Sequence, residues 1–213
     1  MIVLDFAEFA GILLGDGSIG IYPTKATNRI KMLYTVKVTL DSREVQYGKY
    51  VAQLFMRLLG GNPMVIKTPN QNVQNIVLHG KKYTDLLQNI GFILSPKWKR
   101  AIIPNCFMQP DLELLVVRGY FDTDGSVVVT NNNGTIYPRL EMKISPSPMQ
   151  AQFIEILKRH NFHFGIYQIG KGKVRIQLNG KEQLEKWYRE IGFSNLRHLE
   201  KAERLLQLNP IRP

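Results

Sequence analysis

Phe9-Ala-Gly-Ile-Leu-Leu-Gly-Asp16-Gly17-Ser18 and Val117-Arg-Gly-Tyr-Phe-Asp-Thr-Asp124-Gly125-Ser126 decide the reading of this chain. Each is an apolar helical run that ends on Asp-Gly-Ser. In the first, Ala7, Gly11 and Gly15 recur every four residues and line one helix face. Gly119 and Thr123 take the matching places in the second. A stripe of small residues lets another helix backbone come close, so two such helices packed stripe to stripe would bring Asp16 and Asp124 together. A lone Asp-Gly is ordinary turn punctuation, with the glycine as a helix cap. Two at the same phase after similar helices predict chemistry.

The duplication extends beyond these motifs. Val36-Lys37-Val38-Thr39 returns as Met142-Lys143-Ile144-Ser145, Gly80-Lys81 as Gly180-Lys181, and Ile90-Gly91-Phe92 as Ile191-Gly192-Phe193, all in the same order and about a hundred residues apart. Hydrophobic periodicity predicts a helix to Leu14, strands from Ser18 to Leu40 with a loop near Pro23–Asn28, and a helix over 42–59 opened by Ser42-Arg-Glu. Short strands over 64–67 and 73–78 and a helix over 81–90 complete the first unit. The second predicts a helix over 111–121, strands over 126–130 and 139–145, and a helix over 149–160. A hairpin around Gly170-Lys-Gly-Lys173, with strands over 164–168 and 174–178, and helices over 182–191 and 196–208 follow. The expected fold is α+β: two pseudo-symmetric αββαββα repeats, residues 1–94 and 111–213, joined by a proline-bearing connector, 95–110.

A carboxylate at a helix C-terminus faces the negative pole, which costs roughly 0.3–1 kcal/mol. Two carboxylates side by side also repel, raising a pKa unless a cation intervenes. A chain that accepts both costs at matching positions is expected to bind a divalent metal there, Mg²⁺ by its liking for hard oxygen ligands, with Mn²⁺ as substitute. Gly15 and Thr123, one residue before each acid, join Asp16 and Asp124 as candidate ligands. Metals held by paired carboxylates can activate water against a phosphodiester.

At this point the two motifs resemble those of single-chain LAGLIDADG homing endonucleases, and Arg118-Gly-Tyr-Phe-Asp-Thr-Asp-Gly-Ser126 is a specific match to the second. The resemblance implies a fold in which the motif helices form the interface of two halves and the sheets make a saddle over duplex DNA. It implies that Asp16 and Asp124 each bind Mg²⁺ and serve one strand, leaving short 3′ overhangs on a long pseudo-palindromic site. Asp122, whose counterpart is Leu14, is read as structural. The family's Gln or Lys near the end of the second strand is missing from Thr39-Leu40-Asp41 and Ser145-Pro146-Ser147. Lys37 and Lys143 are the catalytic candidates in its place. An RNA maturase acting on intron RNA and a cleavage-inactive DNA-binding protein share the resemblance.

Charge agrees with a polyanionic partner: 28 Lys+Arg stand against 17 Asp+Glu, a net charge of +11. On the strands after each motif, basic and polar residues alternate. The candidate DNA-binding residues are Lys25, Arg29, Lys31, Thr35, Lys37, Thr39, Lys67 and Asn75 in the first half. In the second they are Arg139, Glu141, Lys143, Ser145, Lys171, Lys173, Arg175 and Gln177.

Other classes fall away. One cysteine, Cys106, excludes an internal disulfide framework and Cys-rich zinc modules and fits a reducing, intracellular compartment. His160 and His163 have no ligand cluster in sequence and read as packing residues. No run is apolar enough to span a membrane. Gly15-Asp-Gly-Ser-Ile-Gly20 satisfies a dinucleotide-binding pattern, but that needs a helix after the glycines, and Ile21-Tyr-Pro-Thr-Lys-Ala has no helical period. A monomer is expected, since both halves are present in one chain.

Overall fold

A computed structural model describes residues 2–26, 29–68 and 70–207. The first half runs α1 (Ile2–Leu14), β1 (Gly17–Ala26), β2 (Arg29–Asp41), α2 (Val45–Leu59), β3 (Met64–Lys67), β4 (Val73–His79) and α3 (Lys81–Ile90). A short 3₁₀ turn, Asn105–Phe107, interrupts the connector. The second half repeats the order with α4 (Pro110–Asp124), β5 (Gly125–Asn132), β6 (Thr135–Ile144), α5 (Met149–Arg159), β7 (Gly165–Gln168), β8 (Val174–Asn179) and α6 (Lys181–Glu190), and adds α7 (Leu196–Gln207).

Two antiparallel sheets result, ordered β1-β2-β4-β3 and β5-β6-β8-β7. Strand alternation gives each an apolar face, Val36, Val38, Leu40, Ile76 and Leu78 in one and Leu140, Met142, Ile144, Ile176 and Leu178 in the other, all buried. Against these faces pack Val51, Leu54 and Phe55 of α2 and Leu184 and Trp187 of α6. Between the halves α1 is apolar nearly all round, with Ala7, Phe9, Ala10, Ile12, Leu13 and Leu14 buried, as a helix at the centre of a core must be.

Several boundaries differ from the sequence reading, among them β6, which begins at Thr135 and not at 139. Pro23 lies within β1, paired with Met32, and not in a loop; β1 is an edge strand, where a residue without an N–H is tolerated. Residues 27–28 of the expected loop lie outside the described residues, as does Leu208 of the last helix. The helix expected from Ser42 begins at Val45, because the Asp41 carboxylate first captures the Arg43 backbone N–H at 2.9 Å and its guanidinium at 2.5 Å, turning the chain. The helix expected to stop at Phe121 continues to Asp124, which is its last residue.

The connector runs from the first half onto the second. Ser95 N–H donates to Ile19 O of β1, and Lys99 N–H to Pro146 O. Gln152 of α5 then takes both backbone groups of Ile103, accepting from N at 2.7 Å and donating to O at 3.0 Å. That path carries Lys97 across the ends of the two motif helices.

Candidate active site

The motif helices α1 and α4 touch through their backbones. A Cβ added at Gly11 would stand 2.0 Å from Val116 O, and one at Gly119 would stand 2.0 Å from Glu8 O. Only glycine fits either place. One turn on, a Cβ at Gly15 would meet Thr123 Oγ1 at 2.1 Å and Asp124 Oδ2 at 3.2 Å. The second acid therefore reaches the chain beside the first. The buried Glu8 of α1 holds this crossing with an ion pair to Arg118 of α4.

Burial pushes the Asp16 carboxyl up to about 7, and the nearby Asp124 adds to the rise. Lys97 and Arg197 pull it down, and Glu44 pushes it up. Burial also raises Asp124, against the pull of Lys97 and Lys173. Two partly desolvated carboxylates at close range, one of them open to solvent, make a site that favours a cation. Lys97 is the cation this chain supplies. Its Nζ donates to Leu13 O at 2.9 Å, Leu14 O at 2.7 Å and Gly15 O at 2.6 Å, satisfying the orphan carbonyls at the negative end of α1. Burial lowers its ammonium to about 8, while both acids hold it up.

Lys97 was hidden from sequence reading inside the proline-bearing connector. Its signal was the repeat itself, for Lys97 and Arg197 each follow closely on an Ile-Gly-Phe. Arg197 opens α7 and places Nε 2.9 Å from Glu44 Oε1. Next to it, Asn195 clasps α4 as Lys97 clasps α1, its Nδ2 donating to Asp122 O at 3.0 Å. Asp122 Oδ2 accepts from the backbone N–H groups of Ser194 (2.7 Å) and Asn195 (3.1 Å), a structural role. Burial pushes Asp122 up to about 8.

The cations that shift the two acids are thus Lys97, Arg197 and Lys173; Lys37 and Lys143 are not among them. Lys37 pairs across the sheet with Ser18 and Val77, and Lys143 with Arg175. The Lys143 carbonyl accepts the buried Tyr120 hydroxyl at 2.9 Å, which occupies the one phenol of the motif helices. Thr123 Oγ1 donates to Tyr120 O at 2.9 Å, and Gly15 O is taken by Lys97. Ser145 lines a cavity of about 90 Å³ with Asp124, Lys97 and Tyr120.

Strand register sorts the remaining candidates. Arg29, Lys31, Thr35, Lys37, Thr39 and Asn75 share the face of the first sheet that points away from the helices. Lys25 pairs with Ile30 and Lys67 with Gln74, so both belong to the opposite face. In the second sheet Arg139, Glu141, Lys143, Arg175 and Gln177 share the outward face. There Arg139 Nε lies 2.6 Å and Arg175 Nη1 3.8 Å from Glu141 Oε1. Lys171 and Lys173 sit in the turn before β8, with Lys173 Nζ 5.7 Å from the Trp98 ring centre. Each outer strand begins at the glycine after its acid or one residue on, so the acids stand where the two outward faces start. The glycine pattern at Gly15–Gly20 leads into strand β1 and not a helix, which removes the dinucleotide site. His160 Nε2 lies 2.7 Å from Oε1 of the buried Glu113, which also takes Arg159, as a packing residue.

Residues 111–192 match the model of the LAGLIDADG-like domain family. That match covers most of the second half of the chain. The fold is the two-repeat LAGLIDADG fold over nearly the whole length. The I-LtrWI LAGLIDADG homing endonuclease bound to target DNA aligns with 98% of this chain and 91% of its own, at TM-score 0.66 and 10% identity. I-SmaMI bound to an uncleaved DNA target with calcium ions covers 97% and 93% at TM-score 0.67 and 10% identity. I-DmoI in complex with DNA and Mn covers 91% and 99% at TM-score 0.62 and 15% identity. No curated protein sequence matches the chain. No helix among the described residues is long and apolar enough to cross a membrane.

Among the described residues no third Asp, Glu, His or Cys gathers at the two acids. That donor set fits Mg²⁺ or Mn²⁺, which keep waters and share one or two carboxylates with substrate phosphate, and does not fit a closed zinc site.

Proposed function

We propose that this LAGLIDADG chain is a site-specific endonuclease that binds a long pseudo-palindromic duplex as a monomer and hydrolyses both strands with Mg²⁺, leaving short 3′ overhangs. One observation carries the reading: two acids from a backbone-to-backbone helix crossing, Asp16 half-buried and Asp124 still open to solvent, stand together beside Lys97 at the start of the two outward sheet faces. Asp16 and Asp124 would hold the divalent ions, which would supply the activated water and the stabilisation of the leaving oxygen that phosphodiester hydrolysis needs.

The chain's own groups do the rest. Asp16 and Asp124, each carrying one strand, must both be ionised to hold metal, and the protein resists this until a cation arrives. Lys97 fixes the last carbonyls of α1, so the acid that follows cannot drift, and adds a positive charge where phosphate charge accumulates. The outward sheet faces align the duplex through lysines on phosphates and side chains on base edges. The similarity to structures solved with DNA and with divalent ions supports this assignment.

The test is to incubate the full chain with a randomised duplex library and Mg²⁺, and to sequence the ends produced. A single defined site with 3′ overhangs is the expected result. Binding of duplex with no cleavage in Mg²⁺ or Mn²⁺ would refute the endonuclease, and preferential binding of intron RNA would replace it with a maturase.

A further inference from the structure

The two outward sheet faces carry different chemistry. On the first, the row of Thr39, Asn75 and Ile66 bears a hydroxyl, an amide and an apolar group, and the row of Met64 and Val77 adds Lys37. Met64 and Ile66 of β3 are 48% and 47% exposed, and they pair directly with Val77 and Asn75 of β4. Tyr22, 49% exposed, lies on the same face of β1, folded over Gly20, whose missing Cβ would be 2.3 Å from its ring. Asn75 is preset: Thr39 Oγ1 donates to its Oδ1 at 2.9 Å, which orients the amide and leaves its N–H₂ and one oxygen lone pair outward. An asparagine so held offers the donor–acceptor pair that matches N7 and N6 of adenine, and the neighbouring Ile66 and Met64 offer the apolar contact that matches the thymine methyl.

On the second face the row matching Asn75 and Ile66 holds Arg175 and Tyr167, and the row matching Thr35 holds Arg139. Arg139 and Arg175 flank Glu141, whose carboxylate lies 2.6 Å from Arg139 Nε and 3.8 Å from Arg175 Nη1. The Arg175 guanidinium also lies 5.5 Å from the Tyr167 ring centre. The Arg139 and Arg175 side chains stay 28% and 32% exposed beside this carboxylate. A guanidinium held this way is suited to the O6 and N7 acceptors of guanine, the commonest specific contact to a base edge.

From this difference we infer that the target is asymmetric in composition: the half-site under the first sheet is rich in A·T, read by Asn75 with Ile66 and Met64, and the half-site under the second carries guanines read by Arg139 and Arg175. The inference rests on the DNA-binding reading above and specifies its substrate. A basic chain with a net charge of +11 holds either half-site through phosphates. What separates the halves is the base-edge chemistry.

The experiment takes the duplexes selected by the full chain and modifies single groups. Thymine is replaced by deoxyuridine, which removes only the methyl, and guanine by 7-deazaguanine, which removes only N7. Each contacted thymine of the first half-site should lose about fourfold in affinity on loss of its methyl. Contacted guanines of the second half-site should lose about tenfold or more on loss of N7. Ile66→Ala, at an exposed edge-strand position, should erase the deoxyuridine effect, and Arg175→Gln the 7-deazaguanine effect, each with unchanged thermal unfolding. A defined site that is G·C-rich under the first sheet, or indifferent to deoxyuridine there, overturns this inference and leaves the endonuclease standing. Failure to select any defined duplex overturns the endonuclease and this inference with it.

Discussion

Replacing Gly119 by alanine should loosen the whole molecule from its centre. The new Cβ would stand 2.0 Å from Glu8 O and 3.0 Å from Ile12 N, both main-chain atoms that no rotamer change can move. To bring that contact past 3.0 Å, α1 and α4 must part by about 1 Å, which forfeits about a quarter to a half of the dispersion energy of each pair across the seam. Overpacking of this kind costs about 1–3 kcal/mol. The alanine returns about 0.5–1 kcal/mol by stiffening the helix in the unfolded comparison. A net loss of about 1 kcal/mol remains, which for a chain of this size lowers Tm by about 2–4 °C. The assay is reversible denaturant or thermal unfolding of wild type, Gly119→Ala, Gly11→Ala and a control, Val3→Ala, on the exposed start of α1. Gly11→Ala meets Val116 O at the same 2.0 Å and should behave alike. The double variant should lose less than the sum, since one separation relieves both clashes. A Gly119→Ala protein as stable as wild type would refute the close crossing and the juxtaposition of the acids that depends on it.

Further outcomes follow from the site. The folded-state pKa of Asp16 is raised from 3.8 to about 7, so its protonated form stabilises the fold fully below 3.8 and that contribution is lost as pH rises through about 7. In metal-free buffer Asp16→Asn should therefore be more stable than wild type at pH 8 and no more stable at pH 3, by chemical denaturation. For the same reason cleavage should fall as pH drops below about 7, with added Mg²⁺ shifting the midpoint downward. Lys97→Met leaves three helix-end carbonyls without their donor and should abolish cleavage while duplex affinity, measured by anisotropy, changes by less than tenfold. Asp122→Ala strips two backbone N–H groups at the start of α7 of their acceptor and should cost about 2–4 kcal/mol on unfolding.

Much of this was legible in the residues, for definite reasons. The duplicated order of elements shows because strand alternation and helical spacing repeat in both halves, and the stripe of Gly11, Gly15 and Gly119 shows because close helix crossing leaves no other choice. What local reasoning could not see was tertiary. Lys97 reaches the acids only because the connector hydrogen-bonds first to β1 and then to α5, a path no periodicity encodes. Lys37 and Lys143 match by sequence pattern, yet strand pairing sets Lys37 opposite Ser18 and Glu141 opposite Ser126, so the counterpart of Lys37 is Glu141 and not Lys143. Lys25 and Lys67 are basic and near the others in sequence, but strand parity sends them to the opposite face. Register, not proximity, decides such cases.

The most direct test of the central claim is strand-resolved cleavage of the selected duplex by wild type, Asp16→Asn and Asp124→Asn in Mg²⁺, with each strand end-labelled separately. The account assigns one acid to each strand around a shared site, and so predicts that wild type cuts both strands and that each substitution abolishes double-strand cleavage. Wild-type rates of double-strand cleavage in either variant would contradict it.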